Sequence, residues 1–129
     1  MRIIIAGSRE FNDYNFLKET VKKIIDNYTN VSNDVEIISG TARGADKLGE
    51  QFAKEFGLKV KRFIPDWNGL GKRAGYVRNA EMAKYAVQDN NFGVLIAFWD
   101  GVSKGTKHMI DLAYKYGLEV HIIKFLENT

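Results

Sequence analysis

One short segment combines the residue types that bind phosphate. From Val35 to Asp46 the chain reads Val-Glu-Ile-Ile-Ser-Gly-Thr-Ala-Arg-Gly-Ala-Asp, where an apolar strand ends at Ser39 and an amphipathic helix begins near Ala45. A tight loop between them leaves backbone N–H groups free at the helix N-terminus, and Arg43 adds positive charge beside them. The helix dipole and these donors stabilise an anion. The segment therefore predicts a phosphate-bearing ligand at the carboxyl edge of an α/β sheet.

The loops after the other strands carry residues that suit the same ligand. Gly7-Ser8-Arg9 follows the first predicted strand, Asp66-Trp67 comes shortly after the third, and Asp100–Thr106 follows the fourth. Backbone amides and arginines bind phosphate, whereas carboxylates accept hydrogen bonds from sugar hydroxyls or base amino groups. Because the carboxyl ends of parallel strands share one edge, the convergence of four such loops predicts a nucleotide site there.

Each of these features also has a structural interpretation that needs no ligand. Ser103 or Thr106 could cap a helix, and Arg43 and Asp46, which lie three residues apart, could pair on a helix face. Asp66-Trp67 could anchor a long loop by packing, and the loop glycines could serve tight turns alone. These alternatives stay open for each motif taken singly, so the functional hypothesis depends on the convergence of the loops.

Five apolar segments alternate with helical patterns and must position these loops. Such alternation is typical of a parallel sheet with helices on both faces, here an α/β, Rossmann-like three-layer fold in a single domain over residues 1–129. Ile3–Ile5 and Val94–Phe98 are continuous apolar runs, as in strands buried on both faces, whereas Lys59–Arg62 has the polarity of an edge strand. These differences predict the order 3-2-1-4-5, with a ligand-binding switch point between strands 1 and 4. The predicted strands are Arg2–Ala6, Val35–Ser39, Lys59–Ile64, Gly93–Phe98 and Glu119–Lys124.

Four amphipathic helices connect the predicted strands. The third helix spans roughly Gly75–Val87, and its period predicts an inward face of Val77, Ala80, Ala83 and Val87. Two connections stand out by composition: Asn30–Asp34 is predicted to be a polar loop, and Pro65–Ala74 is predicted to be the longest irregular segment.

The composition limits the chemistry available to the site. The 129 residues include no cysteine, which excludes disulfides and thiolate metal sites. His108 and His121 are the only histidines, too few for a typical catalytic zinc site, and both are expected at the surface. With no apolar run near the roughly 20 residues of a membrane span, and no signal peptide expected before the first strand, we expect a cytoplasmic protein without metal, cofactor or membrane partner. A net charge of +3 permits anionic ligands but does not by itself indicate nucleic-acid binding.

Four motifs in chain order give the sequence a resemblance to the SLOG superfamily, which unites the DNA-processing protein DprA (Smf) with the LOG phosphoribohydrolases. They are Gly7-Ser8-Arg9, Ser39-Gly40-x-Ala42-Arg43-Gly44-Ala45-Asp46, Arg78-Asn79-x-x-Met82 and Gly105-Thr106. Within it, further stretches resemble the small single-domain YspA-like, YpsA-related branch: Asp66-Trp67, Arg73-Ala74-Gly75-x-x-Arg78-Asn79-x-x-Met82 and Ala97-Phe98. The similarity runs from about Arg2 to Ile123. It implies a Rossmann-like fold that binds nucleotides or nucleotide-derived ligands.

The sequence departs from the LOG hydrolases at the positions that carry their chemistry. Their Pro-Gly-Gly-x-Gly-Thr-x-x-Glu motif has lost its proline-glycine start here, and Met109 stands at the place of the glutamate that assists N-glycosidic cleavage. Arg78 matches the arginine of their Glu-Arg-Lys motif, but Asn79 replaces the lysine. A thioether cannot relay a proton, so the resemblance implies retained binding and a lost catalytic carboxylate. Glu81 and Asp100 are weak candidates to replace it.

Three functions remain open at this stage. The leading hypothesis is a nucleotide-binding domain with a sensor, carrier or sequestering role, in which Arg43 and Arg78 pair with phosphate. The alternatives are a LOG-like N-glycosidic hydrolase of nucleotides and, less favoured, a DprA-like protein that binds single-stranded DNA. Self-association as a homodimer or higher homo-oligomer is also expected. The predicted ligand-binding residues are Gly7, Ser8, Arg9, Ser39, Gly40, Thr41, Ala42, Arg43, Gly44, Asp46, Asp66, Trp67, Arg73, Arg78, Asn79, Asp100, Gly101, Ser103, Lys104, Gly105 and Thr106.

Overall fold

A parallel sheet organises the protein, and its strand order is the one that the sequence predicts. The computed structural model describes residues 1–28 and 34–126, so the predicted polar loop at Asn30–Asp34 lies, apart from Asp34, outside them. Within the described residues five strands pair in the order β3-β2-β1-β4-β5, and all four pairings are parallel. The strands are β1 (Arg2–Gly7), β2 (Glu36–Ser39), β3 (Lys59–Arg62), β4 (Gly93–Trp99) and β5 (Glu119–Lys124).

Helices cover both faces of the sheet. The described α-helices are α1 (Tyr14–Asp26), α2 (Ala45–Glu55), a short α3 (Trp67–Leu70), α4 (Ala74–Val87) and α5 (Lys104–Lys115). Apolar side chains of α1 and α2 pack on one face of the sheet, together with Ile3 and Ile5, and those of α4 and α5 pack on the other face, together with Ile4. Successive residues of a strand point to opposite faces, so an unbroken apolar run serves two cores. The α/β three-layer prediction is confirmed.

The inward face of α4 differs from the prediction. Of the predicted face, Ala83 is buried, Ala80 and Val87 are partly buried, and Val77 is 38% exposed. The helix also buries Ala74, Asn79, Met82 and Ala86. The period of apolar residues predicted part of this face wrongly, because the buried face of α4 includes the polar residue Asn79. Asn79 is buried beside α5, where its amide Nδ2 donates to the carbonyl oxygen of Gly105 at 3.4 Å.

The Pro65–Ala74 segment is more regular than predicted. It contains α3 and a 3₁₀ turn at Gly71–Arg73, which leads directly into α4. The carboxylate of Asp66 starts this arrangement, because its Oδ1 accepts from the backbone N–H of Gly69 at 2.9 Å as the N-cap of α3. The third strand is correspondingly shorter than predicted and ends at Arg62 rather than at Ile64.

The histidines are less exposed than predicted. His108 is half-buried, and its ring packs edge-on against Tyr76 with centroids 4.6 Å apart. His121 is also half-buried, and its Nε2 lies 2.9 Å from the hydroxyl of Tyr28. Across residues 1–28 and 34–126, no helix is both long and apolar enough to cross a membrane.

Candidate functional site

A cleft of about 360 Å³ opens at the carboxyl edge of the sheet, at the predicted switch point between β1 and β4. Segments far apart in the sequence contribute to it: the end of β1 and the loop after it, the loop after β2, the first half of α4 and the N-terminal turn of α5. The residues that line it are Ala6, Gly7, Ser8, Arg9, Glu10, Ala42, Asp46, Arg78, Asn79, Met82, Ser103, Gly105, Thr106 and Met109.

A second cavity of about 310 Å³ adjoins the cleft. Arg9, Ala42 and Arg78 line both cavities, so the two are neighbours at these residues. The remaining lining consists of Thr41, Arg43, Ile64, Pro65 and Trp67. Together the two cavities include many of the residues predicted from the sequence, and they bring all four predicted loops to the same edge.

Other predicted residues lie outside the lining of both cavities. In the part of the chain that the structure describes, these are Ser39, Gly40, Gly44, Asp66, Arg73, Asp100, Gly101 and Lys104, together with the weak catalytic candidate Glu81. Several of them shape the loops. Ser39 is buried, and its hydroxyl donates to Glu50 Oε2 at 2.6 Å and accepts from the N–H of Thr41 at 3.1 Å.

Arg78 is the half-buried cation of the cleft. Its Nη1 donates to the carbonyl oxygen of Gly40, and its Nε donates to Asn79 Oδ1 at 3.0 Å. Within the described residues no carboxylate lies within 4.0 Å of this guanidinium. Desolvation lowers the pKa of Arg78, and Arg9 lowers it further, although Asp46 acts in the opposite direction. The surroundings therefore disfavour the positive charge, which a bound anion would stabilise.

Asp46 is a buried acid at the N-terminus of α2. Its side chain lines the cleft with the residue only 5% exposed, and its Oδ2 accepts from the N–H of Ala42 at 3.3 Å. Burial raises the pKa of Asp46 to about 6, against the opposing effects of Arg78 and the Ala42 N–H. A Cβ atom on Gly40 would lie 2.7 Å from Asp46 Oδ2 and 3.0 Å from Arg78 Nη1, so glycine is required there for space.

Three backbone amides between β2 and the first residue of α2 have acceptors within the protein. The N–H groups of Thr41 and Ala42 donate to Ser39 and Asp46, and the N–H of Ala45 donates to the carbonyl oxygen of Ser8 at 3.4 Å. Thr41 has a φ of 68°, which is strained for a β-branched residue. The predicted phosphate-binding loop is therefore held in place by its own side chains, and the positive charge of Arg78 and Arg9 provides the anion-binding potential.

The loop after β4 is arranged in a similar way. Asp100 Oδ1 accepts from the N–H groups of Val102 and Ser103, both at 2.8 Å, and these bonds lower the pKa of the Asp100 carboxyl. Ser103 then caps α5, because its Oγ accepts from the N–H of Thr106 at 3.4 Å. The positive end of the α5 dipole thus faces the cleft through Ser103, Gly105 and Thr106.

Arg43 lies at the mouth of the site and pairs with Glu10 rather than with Asp46. Its Nη2 lies 2.7 Å from Glu10 Oε1, and both side chains are more than half exposed. Glu10 also lines the cleft, although it was not among the predicted ligand-binding residues. Its position immediately after the Gly7-Ser8-Arg9 motif was the available signal.

Three apolar lining residues were also outside the predicted set. Ala6, Met82 and Met109 form part of the cleft wall. Met82 belongs to the motif that begins at Arg78, and Met109 follows Thr106 at helical spacing, so both could have been inferred from the helical period. Met109 is 1% exposed, and its thioether occupies the place where the resemblance to LOG hydrolases implies a glutamate.

Asp46 is a carboxyl of the cleft whose pKa is raised, as a general acid requires. Glu81 is exposed on α4, and Asp100 has a lowered pKa, so neither resembles a general acid. Asp46 lines the cleft and has a pKa of about 6, although it was predicted as a ligand-binding residue and not as a catalytic candidate. The described residues contain no group of three or more His, Asp or Glu side chains arranged to hold a metal ion.

Comparisons with known proteins agree with this architecture. A model of the YspA, cpYpsA-related SLOG family matches residues 1–69. The Gene 61 protein of Mycobacterium phage D29 is 30% identical over 124 residues, which cover 92% of this chain and 93% of that protein. No solved structure matches the chain significantly. The matched half of the chain contains the loops after β1 and β2, which carry the first two motifs of the predicted resemblance. The chain belongs to the YspA, cpYpsA-related SLOG family.

Proposed function

We propose that this protein binds a nucleotide, or a nucleotide-derived phosphorylated ligand, in the cleft at the carboxyl edge of the sheet. The observation that carries the proposal is the guanidinium of Arg78. It is half-buried in the cleft wall, its pKa is lowered by desolvation, and its hydrogen-bond acceptors are the neutral oxygens of Gly40 and Asn79. A phosphate would give this cation a negative hydrogen-bond partner, in addition to the electrostatic effect of Asp46.

The electrostatic surroundings of Arg78 favour the binding of an anionic ligand. Arg9 adds positive charge, and the N-terminal turn of α5 directs its dipole at the same space. Of the two acids that line the cleft, Glu10 is neutralised by Arg43, and Asp46 has a raised pKa that weakens its negative charge near pH 6.

The size of the cleft supports a small ligand. Its volume of about 360 Å³ is within the usual range of small-molecule sites. A binder of single-stranded DNA would instead need a basic groove that follows the backbone, whereas the net charge of this chain is only +3. With Met109 in place of a catalytic glutamate, the same site suits a sensor, carrier or sequestering role.

Calorimetric titration with AMP, GMP, CMP and UMP tests the proposal, together with mass spectrometry of molecules that co-purify with the protein. The diagnostic variant is Arg78→Gln, which removes the cleft charge while retaining a polar side chain. Lys84→Gln is its matched control, because Lys84 is exposed on the same helix and the change in net charge is equal.

We expect at least one nucleotide to bind the native protein and the Lys84→Gln variant equally, and to bind the Arg78→Gln variant about tenfold more weakly or worse. Circular dichroism establishes that both variants are folded. Equal affinities for Arg78→Gln and Lys84→Gln would overturn the assignment of Arg78. Binding of oligonucleotides alone, with a steep salt dependence, would favour the DNA-binding alternative.

The buried carboxyl of Asp46 favours a second candidate function, N-glycosidic hydrolysis of a nucleotide. In this reaction the bond from C1′ to the base nitrogen breaks, water forms the new bond to C1′, and the departing base takes up a proton from an acid. The proton that the water loses then returns that acid to its protonated form. A carboxyl with a pKa of about 6 in the cleft is suited to donate that proton.

Chromatography for released base distinguishes this candidate from simple binding. Incubation with the four nucleoside monophosphates should give free base with the native protein and none with Asp46→Asn. Absence of release across the set would leave binding as the function of the site.

A further inference from the structure

We propose that Trp67 is the stacking platform for the planar ring of the ligand, so that one molecule occupies both the cleft and the adjoining cavity. This inference rests on the proposed function, since it assumes that the phosphate binds at Arg78. It goes further by assigning the second cavity to the base and by making Trp67 the residue that distinguishes nucleotides from other phosphate esters.

The adjacency of the two cavities is the first step. Arg9 and Arg78 line both of them, so positive charge is concentrated where the cavities meet. An anionic group at this junction would leave the rest of the ligand free to extend into the second cavity. The charge therefore favours a phosphate on the cleft side of this junction, with the base in the second cavity.

The apolar side chains that share the lining of the second cavity with its three arginines are the next step. Its outer wall is formed by Ile64, Pro65 and Trp67, and Ile64 is 77% exposed while Trp67 is 49% exposed. Large apolar side chains that remain accessible beside a cationic junction match a ligand with one charged and one planar apolar part. Nucleotides have this composition, because the face of a base stacks on an indole ring while the phosphate pairs with arginine.

The distance between the two contacts fits one molecule. A Cβ atom built on Gly75 would lie 3.6 Å from Trp67 Cη2 and 3.7 Å from Arg78 Nη2. The tip of the indole ring and the guanidinium thus approach the same point above the first turn of α4. A single nucleotide can therefore touch both.

The position of Trp67 is maintained by the element that carries it. Trp67 is the first residue of α3, and Asp66 caps this helix through the N–H of Gly69 at 2.9 Å, while the N–H of Leu70 donates to the carbonyl oxygen of Asp66, also at 2.9 Å. These bonds explain why Asp66 precedes the tryptophan without lining either cavity. Asp66 is a positioning residue for Trp67 in this arrangement.

Paired titrations of the native protein and its variants test the platform. The probes are the four nucleoside monophosphates and ribose 5-phosphate, which has the same phosphate and sugar but no ring. Trp67→Ala removes the platform, Trp67→Phe retains a smaller one, and Trp67→Leu retains apolar area without planarity. Tyr114→Ala is the matched control, because Tyr114 is an aromatic residue, 61% exposed, on α5 and outside both cavities.

We expect Trp67→Ala and Trp67→Leu to bind the best nucleotide about tenfold more weakly than the native protein, with Trp67→Phe closer to native. Tyr114→Ala should bind the nucleotide as the native protein does, and ribose 5-phosphate should bind all five proteins equally. The nucleotide should also quench the indole fluorescence of the native protein, and this quenching should decrease in Trp67→Phe.

Each outcome separates the platform from the proposed function. Native affinity for the nucleotide in Trp67→Ala overturns the platform but leaves the nucleotide site intact. An equal loss of nucleotide and ribose 5-phosphate binding shows a general disturbance of the site and also overturns it. If the native protein binds neither class of probe, the proposed function itself is wrong and the platform falls with it.

Discussion

At the scale of single residues, the site depends on charges that are removed from water. Arg78 is half-buried with a lowered pKa, and Asp46 is buried with a raised one, so each charged form is disfavoured by its surroundings. Gly40 lies between them, where a Cβ atom would meet both side chains. Burial of this kind costs folding free energy and is typical of functional sites rather than of structural ion pairs.

The pKa of Asp46 predicts a dependence of stability on pH. Its folded-state pKa of about 6 lies above the ordinary aspartate value of 3.8, so the folded state holds this proton more tightly than the unfolded state. The resulting stability is fully present below pH 4 and is lost as the pH rises through 6. At about 1.4 kcal/mol per pKa unit, the effect amounts to roughly 3 kcal/mol.

Urea unfolding of the native protein and of Asp46→Asn at several pH values measures this effect. All other titrating groups are common to the two proteins, so the difference between their free energies of unfolding isolates Asp46. From pH 4 to pH 7 that difference should change by up to about 3 kcal/mol against the native protein. Parallel pH curves for the two proteins would contradict the raised pKa.

Arg43 is expected to contribute less to ligand affinity than Arg78. Its side chain is 71% exposed and paired with Glu10, and exposed ion pairs are usually worth less than 1 kcal/mol. Arg43→Ala should weaken nucleotide binding only about two- to fivefold by calorimetry, and the effect should shrink in high salt. Glu10→Gln should have the opposite sign, because it leaves the positive charge of Arg43 uncompensated. An effect of Arg43→Ala as large as that of Arg78→Gln would contradict this ranking.

At the scale of elements, the site depends on the close packing of the loop after β1 against the N-terminus of α2. Gly44 precedes α2 with a φ of 83°, and a Cβ atom there would overlap the backbone of Ser8 and Arg9. The loop after β1 is thereby pressed against the N-terminus of α2, which brings Arg9 and Asp46 into one cleft. The close approach of two backbones explains the glycine without any ligand.

Gly44→Ala should therefore destabilise the fold by more than an ordinary replacement of a left-handed glycine. Gly57 is the matched control, because it has a φ of 66° but open space around the position of a Cβ atom. We expect about 1 kcal/mol for Gly57→Ala, and at least twice that for Gly44→Ala, in chemical unfolding. Equal losses would show that backbone strain alone, without the contact to Ser8 and Arg9, explains the glycine at 44.

At the scale of the whole molecule, the three central strands form the rigid base of the site. β1 pairs along six residues with β4 and also with β2, whereas β3 and β5 each have one neighbour in the described sheet. The loops that line the cleft emerge from the central strands, so the best-packed part of the protein holds the site. Homo-oligomerisation stays a prediction, which light scattering of the purified protein can measure.

Hydrogen exchange should reflect this gradient of packing. Amides of β1 and β4 lie inside the sheet among buried side chains, while Lys59, Lys61 and Arg62 of the edge strand β3 are exposed. Mass spectrometry should therefore find the slowest exchange in peptides from β1 and β4 and clearly faster exchange in β3. Protection of β3 equal to that of β1 would contradict the assignment of a central base.

The strand order could be predicted from the sequence because strands buried on both faces consist of continuous apolar residues. Continuous apolar runs such as Ile3–Ile5 identified the central strands, and the polar run at Lys59–Arg62 identified an edge, so the strand order could be predicted before any contact was known. The apolar period gave the wrong prediction at Val77, because a polar residue, Asn79, lies on the buried face of α4. Asn79 is buried with a hydrogen bond to Gly105, which a pattern of apolar residues does not record.

The sequence by itself determined which loops meet at the carboxyl edge, because strand order and loop position follow from the spacing of apolar residues. Only the tertiary structure decided which groups face the cleft. Arg78 reaches Gly40 across 38 residues of chain, and Asp46 acquires its raised pKa only when folding removes water from it. Contacts between distant segments and desolvation are properties of the packed molecule, so no local pattern could reveal that the amides of Thr41, Ala42 and Ala45 bond to the protein itself or that Arg78 is desolvated in the cleft wall.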